Sequence, residues 1–174
     1  MRRLALLLIL VSLVAAGCEK DGSEPIGRGS EPTPLVTAEN EIQMLNDVLK
    51  REPGNVDALI RLGNVSMDTN RFQEAVDAYQ RALELQPENV DVRVDMGTCY
   101  KNLGMPDKAV ETYRKAISIN PRHPYAHRNL GVVLGYDLGR KKEAADAFEA
   151  YLKLMPTAPD ADLIREEIEK FRAS

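Results

Sequence analysis

Residues 62–87 read LGNVSMDTNRFQEAVDAYQRALELQP, and this stretch contains the pattern that decides the fold. Apolar residues recur at intervals of three and four on both sides of the polar segment DTNR, as they do along one face of an α-helix. A proline closes the second run, and proline pushes the residue before it away from helical geometry. The stretch therefore predicts two amphipathic helices joined by one turn and followed by another.

The same pattern occurs three times along the chain. Gly63, Gly97 and Gly131 lie at intervals of 34 residues. Four further kinds of position repeat with these glycines: a large apolar residue, an alanine, an aromatic residue and a closing proline. In that order the residues are Leu62, Met96 and Leu130; Ala75, Ala109 and Ala144; Tyr79, Tyr113 and Phe148; and Pro87, Pro121 and Pro156. We interpret the glycine and alanine as allowing close helix approach beside the aromatic ring. One hairpin cannot bury its apolar face alone, so this period predicts a stack of hairpins.

These positions resemble the tetratricopeptide repeat family, whose pattern is W-x2-L-G-x2-Y, then A-x3-F and a closing proline. The chain departs from the family at the tryptophan position, which holds Leu59, Arg93 and His127. The tyrosine position holds Ser66, Tyr100 and Leu134, so only the second copy keeps the family residue there. The third copy also carries a one-residue insertion near Gly135. The resemblance implies an all-α fold, a right-handed superhelical stack of helix-turn-helix hairpins.

The repeats are predicted at residues 54–87, 88–121 and 122–156, with a capping helix at each end of the stack. Before the first repeat, Ile42, Leu45 and Leu49 form an apolar stripe in residues 38–53. In residues 157–174, Ile164 and Phe171 lie on one side of a helix that starts near Asp160. We predict that these helices seal the stack, because solenoids need terminal caps. The alternative for the last helix is docking of a partner.

The first residues are predicted to form a secretory signal peptide at residues 1–17. Arg2 and Arg3 precede a nearly unbroken apolar run and then small residues. The alternative of a membrane-spanning helix is less favoured, because a span needs about 20 apolar residues.

The segment Ala15-Ala16-Gly17-Cys18 resembles the lipobox of bacterial lipoproteins, although Ala15 stands where Leu is usual. The resemblance implies lipidation of Cys18 and attachment to a membrane of the cell envelope. Glu19 follows where an aspartate would indicate retention in the inner membrane, so the outer membrane is favoured over the inner one. The alternative is an ordinary signal peptide with an incidental cysteine. Residues 18–37 are rich in Gly, Pro, Ser and charge, which predicts a disordered tether.

Neither the composition nor the motifs indicate an enzyme. The formal net charge of −4 argues against nucleic-acid binding, which needs clustered basic residues. His123 and His127 are four residues apart but have no evident third ligand, so no metal and no cofactor are predicted. Cys99 is interpreted as a small buried residue. Asp91 and Asp95 share a helical face, where we predict a solvated charge pair rather than an acid and a base.

The family resemblance implies that the first helix of each hairpin lines a concave groove. The positions that would face this groove are Asp57, Ile60, Arg61, Asn64, Met67 and Asp68; Asp91, Val94, Asp95, Thr98, Lys101 and Asn102; and Tyr125, Arg128, Asn129, Val132, Gly135 and Tyr136. The residues predicted to contact a partner are Asn64, Arg61, Asp95, Lys101, Asn102, Tyr125, Arg128 and Asn129.

One subgroup of the family grips a C-terminal carboxylate with Lys, Asn, Asn, Lys and Arg. The matching positions here are Ile60, Asn64, Asp95, Tyr125 and Asn129, so only Asn64 agrees and that clamp is absent. The sequence thus predicts a membrane-anchored scaffold that binds a peptide or helix of another envelope protein. The alternatives are a self-assembling structural protein, which would make a homo-oligomer, and, more remotely, an accessory subunit of an envelope enzyme.

Overall fold

A computed structural model describes residues 37–173, which form eight α-helices packed as consecutive antiparallel hairpins. The helices are α1 (Ala38–Arg51), α2 (Val56–Asp68), α3 (Phe72–Leu85), α4 (Val90–Asn102), α5 (Pro106–Ile119), α6 (Pro124–Val132), α7 (Lys141–Leu154) and α8 (Ala161–Arg172). A π-helical turn, Val133–Asp137, follows α6 directly. These residues contain no β-strand. The predicted all-α stack of hairpins is confirmed.

The first helix of each hairpin begins at a side chain that recurs at the repeat interval. Asn55 and Asn89 accept hydrogen bonds from the backbone N–H groups three residues later, at 3.0 and 3.2 Å. His123 occupies the same position before α6, and its Nδ1 accepts the N–H of Ala126 at 3.1 Å. Such bonds satisfy one of the backbone donors that a helix leaves unpaired at its start.

The turn inside each hairpin uses one residue in the left-handed backbone conformation. Asn70, Gly104 and Gly139 have φ angles of 60°, 70° and 65°. In the first hairpin the next residue, Arg71, donates its N–H to the carbonyl of Ser66 at 2.8 Å. This pattern closes a helix C-terminus and reverses the chain. The polar segment DTNR is therefore the C-terminal cap of α2.

The two helices of each hairpin approach closely because a glycine faces an aromatic ring. A Cβ atom added to Gly97 would lie 2.6 Å from Cε1 of Tyr113, and one added to Gly131 would lie 2.6 Å from Phe148. Gly63 faces Tyr79 in the same way. These rings are buried. The interpretation of the glycines as points of close approach is confirmed.

The π-helical turn accommodates the extra residue of the third repeat. The N–H of Leu138 bonds to the carbonyl of Val133, five residues back, at 3.1 Å. The N–H of Arg140 then reaches the carbonyl of Leu134, six residues back, at 2.7 Å, whereas the equivalent bond from Arg71 spans five. A π turn adds a residue without ending the helix. The chain therefore re-enters the repeat pattern at Gly139.

The ends of the stack are covered by α1 and α8. The buried side of α1 includes Ile42 and Leu49, and the buried side of α8 includes Ile164 and Phe171. The ring of Phe171 stacks on Phe148 with 6.3 Å between ring centroids. Both helices extend the apolar core of the repeats, and their outer sides are polar apart from Met44 on α1 and Leu163 on α8.

The predicted signal peptide at residues 1–17, Cys18 and nearly all of the predicted tether at residues 18–37 lie outside the described residues. Within residues 37–173, every helix is too short or too polar to cross a lipid bilayer.

Candidate peptide-binding groove

The first helices of successive hairpins are α2, α4 and α6, and the family resemblance predicts that they line the concave surface of the stack. Helices α4 and α6 contact each other. Two neighbouring clefts open between them. The acidic cleft, of about 300 Å³, is lined by Asp91, Val94, Asp95, His123, Tyr125 and Asn129. The central cleft, of about 160 Å³, is lined by Thr98, Lys101, Tyr113, Arg128, Asn129 and Val132. Asn129 lines both, so the two clefts adjoin at this residue and are together called the groove.

The two carboxylates of the acidic cleft differ in their exposure. The Asp91 side chain is 86% exposed, whereas Asp95 is half-buried. Burial, followed by the charge of Asp91, raises the pKa of Asp95 to about 6. The prediction of a solvated pair is therefore right for Asp91 and wrong for Asp95, because Asp95 lies one turn further along α4, deeper in the angle between α4 and α6.

The hydrogen bonds of His123 fix its tautomer. Its Nδ1 accepts a backbone N–H at the start of α6, so the ring proton is on Nε2. Nε2 lies 2.9 Å from Oδ1 of Asp91 and donates to it. The cleft thus holds two carboxylates, and the single imidazole bonds to only one of them. His127 bonds instead to the carbonyl of Pro121 at 2.9 Å, so the two histidines have no common partner.

Tyr125 forms an aromatic wall of the acidic cleft. Its side chain is 55% exposed, and its ring meets His123 edge to face with 6.3 Å between centroids. Large exposed aromatic residues are enriched in protein interfaces, because they bury much surface at a small cost in conformational entropy. The predicted contact residue Tyr125 is thus placed beside Asp95 and Asn129 in one cleft.

The central cleft has a polar floor held by buried hydrogen bonds. The hydroxyl of Tyr113 lies 3.1 Å from Oγ1 of Thr98 and also bonds to the Asn129 side chain. Burial raises the pKa of Tyr113 to about 12, so the hydroxyl stays protonated. Lys101 lines the same cleft, and Asn102 donates from its side chain to the carbonyl of Thr98 at 3.0 Å. Lys101 brings a positive charge to this part of the groove.

Both arginines predicted for the groove are engaged by the capping helices. Arg61 forms an ion pair with Glu41 of α1. Arg128 bonds to Asp160 at 2.6 Å, and Tyr151 donates to the same carboxylate at 2.7 Å. Asp160 directly precedes α8. These arginines therefore tie the caps to the repeats, a role that the family pattern did not indicate because their partners lie outside it.

Of the predicted contact residues, the clefts bring together Asp95, Tyr125, Asn129, Lys101 and Arg128. Asn64, Arg61 and Asn102 line neither cleft. Two positions expected to face the groove, Val94 and Gly135, are buried, although Val94 still lines a cleft. Val94 is the floor of the acidic cleft, and Gly135 packs under the ring of Phe171, where an added Cβ would lie 2.5 Å from Cε2.

Sequence reasoning missed His123 as a lining residue. The available signal was its recurrence with Asn55 and Asn89 at the interval of 34 residues, which marks the start of each first helix. Within residues 37–173 no cluster of His, Cys, Asp and Glu has the grouping that a metal ion needs. Cys99 is fully buried, and burial raises its thiol pKa to about 12. It is therefore a packing residue, as predicted.

Three sequence profiles described as tetratricopeptide repeat match the chain, at residues 42–90, 67–131 and 106–169. The comparison with curated proteins gives no match. Among solved structures, a crystal structure of MamA has 22% sequence identity and a TM-score of 0.69, and the match covers 77% of this chain and 84% of that one.

Two further solved structures are similar. The Arabidopsis OM64 TPR domain has 23% identity and a TM-score of 0.62, over 66% of this chain and 94% of that chain. The first TPR of Spaghetti (RPAP3), bound to the HSP90 peptide SRMEEVD, has 23% identity and a TM-score of 0.64, over 68% of this chain and 94% of that chain. At these identities the structures show a shared fold. Together with the three profiles, which span residues 42–169, they show that the chain belongs to the tetratricopeptide repeat family.

Proposed function

We propose that this protein is an interaction scaffold that binds an extended segment of another protein in the groove between α4 and α6. The observation that carries the proposal is that the acidic and central clefts adjoin at Asn129. Side chains of an extended segment alternate in direction, so two adjoining clefts can receive alternate residues. Amide groups such as that of Asn129 can bond to the backbone of the segment.

The similar structure of RPAP3 supports this mode of binding, because that domain is bound to a peptide. Its peptide, SRMEEVD, is rich in acidic residues. The present groove has Asp95 and Tyr125 at two positions where the carboxylate clamp of the family has polar or basic residues. We therefore propose the same mode of binding, a peptide held in the groove, for this chain. We do not propose that its peptide is acidic.

Site-specific photocrosslinking in cells tests the groove. A photoreactive amino acid is placed at Tyr125 or at Lys101, and at the exposed Glu84 on α3 as a control. The proposal expects one discrete crosslinked partner from both groove positions and none from Glu84. Equal labelling from all three positions, or labelling from Glu84 alone, would move the binding surface away from the groove.

We further propose that the scaffold is held on a membrane of a bacterial cell envelope by lipid on Cys18, with the outer membrane favoured. The support is in the sequence, where small residues and Cys18 end an apolar run and Glu19 follows. Two acyl chains bind membranes firmly, at about 0.8 kcal/mol per buried CH₂ group. Metabolic labelling with a fatty-acid probe is expected to mark the native chain and spare Cys18→Ser. Equal labelling of the native chain and Cys18→Ser would contradict lipidation of Cys18.

Self-association is a second candidate, favoured by one exposed apolar side chain on each capping helix. Met44 on α1 is 63% exposed and Leu163 on α8 is 64% exposed. Contact between opposite ends of two copies would be heterologous and would build chains of molecules. Light scattering over a concentration series would show a rising mass that Leu163→Lys abolishes. A constant monomer mass would eliminate this candidate.

A further inference from the structure

We infer that the segment bound in the groove is basic at one position, where a lysine or arginine side chain enters the acidic cleft. This inference rests on the proposed function, because it concerns the chemistry of the same groove. It follows from the charge balance of the cleft, from its aromatic wall and from its depth, which are three separate features of the residues that line it.

The charge balance of the cleft is negative. Asp91 and Asp95 both line it, and Asp68 at the end of α2 is close enough to act on Asp95. The ion pairs of residues 37–173 give Asp91 a single partner, His123, and include none for Asp95. Both ring nitrogens of His123 are already engaged, Nδ1 with the backbone of α6 and Nε2 with Asp91, so one imidazole faces two carboxylates. A positively charged side chain of the partner would neutralise part of this negative charge.

The two arginines predicted for the groove, Arg61 and Arg128, cannot supply that cation without breaking existing contacts. Arg128 is bound to Asp160, and Arg61 is bound to Glu41. Lys101 lies in the central cleft, beyond Asn129. The preference for a cation therefore applies to the residue that enters the acidic cleft. The residue that enters the central cleft faces Lys101 and is not expected to be basic.

The walls of the acidic cleft suit a long basic side chain in particular. Val94 at the floor and the ring of Tyr125 are apolar surfaces against which the methylene stem can pack. An ammonium or guanidinium group beside the face of an exposed tyrosine is attracted to the ring. The half-buried carboxylate of Asp95 then provides a hydrogen bond with charge on both partners, which is stronger than a neutral one. A small hydrated cation would use none of the apolar surface.

A random heptapeptide library displayed on phage and selected against the full chain, purified in detergent, tests the inference. The expected result is enrichment of Lys or Arg at one fixed position of the selected peptides. A synthetic peptide from that selection should bind Asp95→Asn about tenfold more weakly than the native chain, which corresponds to loss of one partly desolvated charge pair. Glu84→Gln, which removes the same charge from the exposed side of α3, should leave the affinity unchanged.

A second variant tests the same cleft at its exposed carboxylate. Asp91 is 86% exposed, so Asp91→Lys is expected to fold, and it should weaken the lysine or arginine preference and allow acidic residues at that position. Selected peptides that bind the groove without a basic residue, or that gain affinity in Asp95→Asn, would overturn the inference and leave the proposed function standing. Binding that no groove substitution changes would overturn both.

Discussion

The Tyr79 hydroxyl donates a hydrogen bond to Oδ1 of Asn64, with 2.8 Å between the two oxygens. The bond joins the second helix of the first hairpin to the first helix, at the end of a ring that is otherwise enclosed by apolar atoms. The structure thus gives the side-chain oxygen of Asn64 an internal role, and contact of Asn64 with a partner stays a prediction.

Replacement of Asn64 by alanine is expected to lower the free energy of unfolding by about 1–3 kcal/mol, because a buried hydroxyl loses its acceptor. Urea denaturation followed by circular dichroism measures the change. Asn102→Ala is the matched control, since its exposed amide bonds only to a backbone carbonyl, and we expect a change below about 0.5 kcal/mol. Equal losses in the two variants would contradict a structural role for Asn64.

Gly97→Ala tests the close approach of α4 and α5. The new methyl group would lie 2.6 Å from the ring of Tyr113, so the helices must separate or the ring must move. We expect a loss of about 1–3 kcal/mol, as for overpacked cores, measured by thermal or urea unfolding. Gly54→Ala serves as the control, because a Cβ there meets no atom within 4 Å. A neutral Gly97→Ala would show that the helix pair is not tightly packed.

The raised pKa of Asp95 predicts a pH-dependent stability. Below about pH 4 the side chain is protonated in both the folded and the unfolded chain. Between pH 4 and pH 6 the unfolded chain releases this proton while the folded chain, with a pKa of about 6, retains it, so the free energy of unfolding falls as pH rises. Above pH 6 the penalty is constant.

Asp95→Asn removes this penalty. The variant is expected to be about 1 kcal/mol more stable than the native chain at pH 7.5, a value discounted for the contact of Asp95 with solvent, and equally stable at pH 4. Urea unfolding at a series of pH values measures the difference, with Glu84→Gln as the control. A constant difference at all pH values would contradict the assignment of the effect to titration of Asp95.

Asp160 is expected to control the attachment of α8. The hydrogen bond from Tyr151, and then that from Arg128, hold the pKa of Asp160 below its ordinary value, so its contribution to stability is present above about pH 4 and is lost as pH falls further. Asp160→Asn should increase hydrogen exchange of the α8 amides about tenfold at neutral pH, with a smaller effect in α2. Glu166→Gln, an exposed change within α8, is the control. Uniform acceleration in all helices would indicate global destabilisation.

The sequence predicted the fold well because the same residue pattern occurs in all three repeats. Gly63, Gly97 and Gly131 mark the close helix contacts, and the aromatic residues that face them recur at the same interval, so one local error cannot shift the whole pattern. The bounds of α1, α2 and α3 follow from the same apolar periodicity together with the prolines that end each unit.

The candidate groove was harder to predict, because its character depends on contacts between repeats and caps. The sequence shows no partner for Arg61 or Arg128, yet Glu41 of α1 and Asp160, just before α8, bind them from outside the repeats. Likewise, the burial of Asp95 depends on how α6 lies against α4, and no single helix pattern contains that angle.

The extra residue at Val133–Asp137 means that the hairpins are not interchangeable parts. A hairpin with the regular period could be duplicated between the first two units, because the hairpins on both sides of it pack against a surface of the same shape. In the third unit Gly135 lies under the ring of Phe171, and Tyr136 meets that ring edge to face. The outer surface of the third unit therefore fits α8. The array can therefore be lengthened from within, but a further regular hairpin added after the third would find no matching surface.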